Sequence, residues 1–159
     1  MSPPRVYIET SVVSYLAARP SRDLIVAGHQ QLTAEWWDRR RDLFQVFASA
    51  LVLQEASFGD PEFARRRLEM LKGIRLLETH PEASQLAEVL MQRGPLPRKA
   101  EADAAHIALA AVHGMDYLLT WNCKHIANAE MQPALARICR ARGYSLPVLC
   151  TPEQLMGEE

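Results

Sequence analysis

The stretch Arg5-Val-Tyr-Ile-Glu-Thr-Ser-Val-Val-Ser-Tyr-Leu16 places a carboxylate where a buried strand gives way to a helix. Its Val-Tyr-Ile run favours a strand, Glu9 ends that run, and Thr10 or Ser11 can cap the helix that follows. Open α/β sheets bind their ligands at the carboxyl ends of the strands, which makes Glu9 a candidate site residue. The same carboxylate would also stabilise the following helix by lying near the positive end of its dipole. A site residue and a helix-stabilising residue are both possible interpretations at this point.

The composition indicates a folded globular protein. The chain has 159 residues, of which 48% are hydrophobic, and this is enough for one sizeable core. We therefore expect a single domain over residues 1–159. Eighteen basic and nineteen acidic residues give a net charge of −1. A polyanionic partner would have to bind a local basic patch, since the overall charge does not attract it.

The cysteines and the hydropathy pattern indicate in which cellular compartment the protein is expected. Cys123, Cys139 and Cys150 are odd in number and widely spaced, which argues against a disulfide framework and a structural zinc site. The N-terminus has no apolar signal region, and no stretch reaches the roughly 20 apolar residues that a membrane span needs. We expect a protein of the reducing cytoplasm that makes no membrane contact.

Predicted strands and helices alternate along the whole chain, which is typical of a mainly parallel sheet with helices on both faces. The strands are predicted at residues 6–8, 42–48, 74–77, 116–120 and 146–149. The helices are predicted at residues 12–16, 23–41, 50–58, 61–72, 81–92, 100–113 and 130–142, with a short helix begun by Thr151-Pro152. Of the adjacent Trp36 and Trp37, one is expected to be partly exposed.

Four polar side chains fall at comparable places in this pattern. Glu9 follows the first strand, Glu55 lies on the helix after the second, Asp103 begins the alanine-rich helix, and Asn122 follows the fourth strand. Parallel strands end at the same edge of a sheet, so these residues are expected to converge. Three converging carboxylates repel one another unless a divalent cation lies among them.

With these residues assembled, the chain resembles the PIN domain family, in particular the VapC-like toxins of bacterial toxin–antitoxin modules. The matching pieces are residues 8–12, 49–55, 102–108 and 118–122, in the expected order and spacing. The resemblance implies a single PIN-like α/β/α domain of three layers, with a mainly parallel central sheet of four to five strands.

The resemblance also implies a ribonuclease that hydrolyses RNA phosphodiesters with Mg²⁺ or Mn²⁺. It further implies a homodimer and a cognate antitoxin as partner. Carried over by position, the metal ligands and catalytic residues are Glu9, Glu55, Asp103 and Asn122, supported by the hydroxyls of Thr10, Ser11 and Thr120.

Two departures from the family pattern favour an alternative function. The family usually has Asp where this chain has Glu9, and one extra methylene displaces a carboxylate enough to affect catalytic geometry. Asn122 offers an oxygen without a charge at the fourth position. The alternative is a PIN-like module with weak or absent cleavage that binds RNA or protein.

Other polar residues suggest weaker sites. Cys123 and His125, with His106 and His113 nearby, have the residue types of a transition-metal site but a poor zinc spacing. His106 and His113 are seven residues apart on one helix face and are expected at the surface or at an interface. The motifs of serine hydrolases and of nucleotide-binding loops are absent from the sequence.

Three cations flank the proposed site in sequence, namely Arg98, Lys99 and Lys124. They are candidates for binding RNA phosphates, because a protein without net positive charge needs local cations for that contact. Their placement in loops is equally compatible with solvated surface charges.

Overall fold

The centre of the fold is a five-stranded parallel sheet. The structure is a computed structural model that describes residues 2–157. Within them the strands are β1 Arg5–Ile8, β2 Gln45–Ser49, β3 Arg75–Leu77, β4 Tyr117–Leu119 and β5 Val148–Cys150. Their spatial order is β3-β2-β1-β4-β5 and every neighbouring pair is parallel. The predicted α/β class and all five predicted strands are confirmed, with shifted ends.

Seven α-helices surround this sheet in the described part of the chain. They are α1 Thr10–Ala17, α2 Leu24–Glu35, α3 Ala50–Ala56, α4 Pro61–Leu71, α5 Pro81–Arg93, α6 Glu101–Val112 and α7 Gln132–Ala141. Local sequence explains several ends. Ser49 caps α3, and Asp60 caps α4 directly before Pro61, as the sequence predicts.

The helices form two layers because the connections run in opposite directions along the sheet. From β1 the chain moves outward through β2 to β3, and then crosses back to β4 and on to β5. Right-handed crossovers place helices on opposite faces when the direction reverses. Accordingly α1 to α4 pack on one another, and α5 packs on α6 and α7. The reversal lies between β1 and β4, where such sheets form their binding crevice.

The predicted long helix over residues 23–41 is wrong beyond Glu35. A π-helical turn, Trp36–Arg40, follows α2 and leads into a 3₁₀ turn, Arg41–Leu43. The turn closes with the Arg41 N–H donating to the Trp36 carbonyl. The 3₁₀ turn also delays the start of β2 from the predicted residue 42 to Gln45.

Both tryptophans of this π turn are buried, so the expected exposure of one of them is wrong. Trp36 is fully buried and Trp37 is 6% exposed. A π turn inserts one residue into the helical repeat, and two consecutive side chains can then face the core. The Arg41 guanidinium covers Trp37, with its carbon 4.2 Å from the ring centroid.

The buried side chains of the sheet and of both helix layers form one hydrophobic cluster. Cys139 and Cys150 belong to it, and all three cysteines are free, as their spacing predicts. None of the helices in residues 2–157 combines the length and the apolar character that crossing a membrane requires.

Candidate active site at the carboxyl ends of the strands

Glu9 lies at the centre of the sheet edge, directly after β1. Its backbone is extended and occupies the N-cap position of α1, but its side chain makes no capping hydrogen bond. The predicted capping by Thr10 or Ser11 is therefore wrong. Both residues fall inside the helix, and their hydroxyls bind carboxylates instead.

Two hydroxyls hold the Glu9 carboxylate by a single oxygen. Ser11 Oγ and Thr120 Oγ1 each donate to Glu9 Oε1 at 2.5 Å. The residue is only 7% exposed. Its other oxygen, Oε2, accepts no hydrogen bond from the residues that the structure describes. A buried carboxylate is thus fixed in orientation, and one oxygen is left to bind a further group.

Glu55, on α3, is held in the same way. Its Oε1 accepts a hydrogen bond from Thr10 Oγ1 at 2.5 Å and lies 2.7 Å from His106 Nε2. Burial raises the pKa of this carboxyl, but the hydrogen bonds from His106 and Thr10 outweigh it, so the pKa lies below its ordinary value of 4.5. Glu55 Oε2 accepts no hydrogen bond from a described residue either.

Glu9 and Glu55 approach each other closely. One ligand atom from each, together with one ring nitrogen of His106, lies within 4.8 Å of the other two. Two carboxylates at this separation repel each other unless a cation or a proton compensates them. The arrangement is therefore suited to a cation, and the described residues hold only this cluster of three or more such groups. The transition-metal site suggested by Cys123 and His125 is not formed among them.

Asp103 and Asn122 form a second group beside this cluster and are not part of it. Asn122 Nδ2 donates to Asp103 Oδ1 at 3.0 Å, and His125 Nδ1 lies 3.0 Å from Asp103 Oδ2. Asn122 Oδ1 accepts the backbone N–H of His125 at 3.0 Å. Both Asp103 oxygens are therefore engaged, and Asn122 acts here as a donor to the carboxylate.

The loop after β4 connects the two groups. Thr120 Oγ1 accepts the backbone N–H of Asn122 at 2.9 Å, and Ser11 Oγ accepts that of Trp121 at 2.8 Å. The same two hydroxyls donate to Glu9. The two hydroxyls thus fix both the position of the loop and the orientation of the Glu9 carboxylate.

His106 is the site residue that the sequence interpretation missed, and its predicted position at the surface or at an interface is wrong. It is 1% exposed, and both ring nitrogens have partners. Asp103 and His106 are three residues apart on α6, so they share a helix face. That spacing, within an otherwise apolar alanine-rich helix, was the available signal. Tyr7, the partner of its Nδ1, read as an ordinary strand residue.

The three cations proposed for RNA binding are exposed. Arg98 and Lys99 lie in the 3₁₀ turn just before α6, and Lys124 lies in the loop after β4. None of them forms an ion pair within residues 2–157. They are accessible to a ligand, and their contact with RNA stays a prediction.

A comparison of this fold with solved structures finds the toxin VapC20 of Mycobacterium tuberculosis, which is described as cleaving the sarcin–ricin loop. The match has a TM-score of 0.59 and covers 87% of this chain and 95% of VapC20, at 14% sequence identity. This chain has a VapC-like PIN fold. The predicted three-layer PIN architecture is thereby confirmed, although the likeness concerns the fold alone.

Comparison of the sequence alone finds no such relative. No family model matches the chain, and no curated protein matches it. In this fold β1 and β4 are parallel neighbours, so Glu9 and the loop after β4 lie side by side at the carboxyl ends of these strands. The chemistry must be argued from those residues.

Proposed function

We propose that the protein is a metal-dependent endoribonuclease that hydrolyses RNA phosphodiesters, acting as the toxin of a toxin–antitoxin pair. The observation that carries the proposal is the pairing of Glu9 with Glu55 at the binding crevice of a PIN fold. Each carboxylate is held through Oε1 by two donors and keeps Oε2 open.

The chemistry of these donors fits Mg²⁺ or Mn²⁺. Carboxylate oxygens are hard ligands, and a site of two or three of them suits these ions better than zinc or copper. When bound, such an ion would polarise the scissile phosphate, activate water for attack and neutralise charge on the leaving oxygen. Glu9 and Glu55 would hold it, with Asp103 as the third acidic ligand.

The neighbouring side chains would keep these ligands in place. Ser11 and Thr120 orient Glu9, while Thr10 orients Glu55. Asn122 was proposed as a fourth ligand, but its contacts favour orienting Asp103 through its amide group. Fixed carboxylates lose little conformational freedom when a ligand binds, which favours both affinity and positioning.

The RNA and protein partners follow from the same proposal. Exposed Arg98, Lys99 and Lys124 would bind RNA phosphates near the cleaved bond. VapC20 is named a toxin. By analogy we propose a cognate antitoxin, a homodimer and a cytoplasmic location for this protein.

Cleavage of a labelled RNA tests the proposal. The purified protein should cut single-stranded or hairpin RNA with Mg²⁺ or Mn²⁺ and should lose activity with EDTA. Glu55→Gln and Asp103→Asn should abolish cleavage without altering the circular dichroism spectrum. Glu62→Gln is the matched control, because its exposed i,i+4 ion pair on α4 is worth little. Undiminished cleavage by Asp103→Asn would remove Asp103 from the mechanism.

A second candidate function is a PIN-like module that binds RNA or protein without cleaving it. The specific observation in its favour is that both Asp103 oxygens are engaged by Asn122 and His125. Calorimetry with Mn²⁺ separates the two candidates. A nuclease must bind the ion through Glu9 and Glu55, so binding should disappear in Glu9→Gln. No Mn²⁺ binding to the folded wild type, even with a short RNA present, would favour the module.

A further inference from the structure

A buried chain of hydrogen bonds runs from the start of α3 to the Glu55 carboxylate. The Val52 N–H donates to Ser49 Oγ at 3.2 Å, and Ser49 Oγ lies 2.7 Å from the Tyr7 hydroxyl. That hydroxyl lies 2.7 Å from His106 Nδ1, and His106 Nε2 lies 2.7 Å from Glu55 Oε1. Tyr7, Ser49 and His106 are each at most 1% exposed.

The carboxylate at the end of this hydrogen-bond network fixes which atom donates in each hydrogen bond. An ionised carboxylate only accepts hydrogen bonds, so His106 Nε2 must carry the hydrogen that it shares with Glu55. Nδ1 of the neutral ring is then an acceptor and takes the Tyr7 hydroxyl hydrogen. The Tyr7 oxygen in turn accepts from Ser49. In this arrangement every hydroxyl hydrogen has an acceptor, whereas a doubly protonated ring would leave the Ser49 hydrogen without one among the described partners.

From this direction we infer that His106 is a positioning residue for Glu55, held by Tyr7 and Ser49 in the one tautomer that can donate to this carboxylate, and that it is not a metal ligand. Its distance from Glu9 and Glu55 would by itself allow a site of two carboxylates and one imidazole. A nitrogen that bears a hydrogen has no lone pair for a cation, however. The ring instead occupies Glu55 Oε1 and leaves Oε2 for ligation.

Packing alone does not account for this network. Apolar side chains of similar size could join β1 to α6, and replacing a complete buried polar network by them is often neutral for stability. What the hydrogen-bond network provides, and apolar packing would not, is a fixed position for the Glu55 carboxylate. Partners of this kind, which orient a ligand, typically contribute 10- to 100-fold in metal affinity.

The tautomer can be observed without metal or substrate. Protein labelled with ¹⁵N-histidine should give, for His106, the two-bond ¹H–¹⁵N pattern of a ring protonated at Nε2 only. Because the chain has five histidines, the signal is assigned by its loss in His106→Gln. The pattern should persist when Mg²⁺ is added. Protonation at Nδ1 only, a doubly protonated ring, or loss of the Nε2 hydrogen with Mg²⁺ would each overturn the inference.

Mn²⁺ calorimetry then tests positioning, and this part rests on the proposed function. His106→Leu should weaken Mn²⁺ binding at least about tenfold. His106→Gln, whose amide can donate from nearly the place of Nε2, should recover most of that loss. Tyr7→Phe should weaken binding less than His106→Leu. His113→Gln, at the C-cap of the same helix, is the control, because its ring binds the Glu78 carbonyl away from the site.

The outcomes separate the two proposals. The expected tautomer without any Mn²⁺ binding by the wild type would retain the His106 assignment and remove the nuclease. Mn²⁺ binding that is equally strong in His106→Leu would remove the positioning role and leave the carboxylate site. Circular dichroism confirms that each variant is folded before its affinity is compared.

Discussion

The rings of His29 and Trp121 stack with their centroids 4.1 Å apart and their planes within 14°. Trp121 Nε1 also donates to Thr33 Oγ1 at 2.7 Å. Since His29 and Thr33 both lie on α2, these contacts attach the loop after β4 to that helix. The same loop carries Thr120 and Asn122, so the aromatic stack supports the candidate site from outside.

Removing this stack should destabilise the protein. Trp121→Ala should lower the free energy of unfolding by about 3 kcal/mol, since it loses the packing of a large, partly buried ring. Trp121→Phe retains an aromatic face but loses the hydrogen bond to Thr33, and should cost about 1 kcal/mol. Urea unfolding followed by circular dichroism measures both. An alanine variant as stable as the wild type would contradict a structural role for the stack.

Glu9→Asp should reduce both metal binding and cleavage, even though the PIN family that the sequence resembles usually has aspartate at this position. The shorter side chain withdraws the carboxylate from Ser11 and Thr120, whose hydroxyls lie 2.5 Å from Glu9 Oε1. We expect a loss of about 10- to 100-fold in Mn²⁺ affinity. Calorimetry and RNA cleavage measure it, with Glu62→Asp as the control. Equal or higher activity in Glu9→Asp would show that the two hydroxyls adapt to the shorter residue.

The low pKa of Glu55 predicts a pH dependence of stability. Burial raises this pKa, but the His106 and Thr10 hydrogen bonds bring it below its ordinary value of 4.5. A carboxyl with a depressed pKa in the folded state stabilises that state above its unfolded pKa. This contribution is lost as the pH falls through the folded-state pKa.

The wild type should therefore be more stable than Glu55→Gln near neutral pH, and the difference should shrink as the solution is acidified below the ordinary carboxyl range. Thermal unfolding of both proteins without metal, from about pH 7 to about pH 3, provides the comparison. A difference that grows on acidification would contradict the assigned direction. Glu62→Gln corrects for general effects of charge.

Asn122→Asp distinguishes an orienting amide from a metal ligand. The change removes the hydrogen bond to Asp103 Oδ1 and places a second carboxylate beside it. Without metal the variant should lose about 1–3 kcal/mol of stability. Because the new acid can itself bind a cation, Mn²⁺ should raise the unfolding temperature more than in the wild type. An unchanged stability without metal would show that the amide contact contributes little.

Much of the fold was predictable because it depends on local patterns. Apolar runs bounded by turn residues located all five strands, and the capping residues Ser49 and Asp60 located two helix starts. The π turn after Glu35 was not predictable from the helical periodicity. Its cause is tertiary, since the burial of both Trp36 and Trp37 outweighs the regular helix.

The candidate site was predicted in part. The convergence of Glu9 with Glu55 followed from their places after parallel strands. The separate pairing of Asp103 with Asn122 depends on side-chain directions within a few ångströms, which strand order does not fix. His106 was misplaced at the surface because its partners, Tyr7 and Glu55, are 99 and 51 residues away in sequence. The three-residue spacing of Asp103 and His106 was the one local signal, and it does not encode contacts with residues so far away in sequence.

The central position of β1 has a consequence for the order of events during synthesis. β1 is synthesised before the other four strands, and it pairs on one side with β2 but on the other with β4. Glu9 meets its partner Thr120 across 111 residues of sequence. Contacts between such distant residues slow folding, because the intervening chain loses entropy before they form. A nascent chain therefore carries Glu9 without its complete set of partners until Thr120 has been synthesised. For the toxin proposed above, translation of the chain itself delays the assembly of the site that would cut RNA.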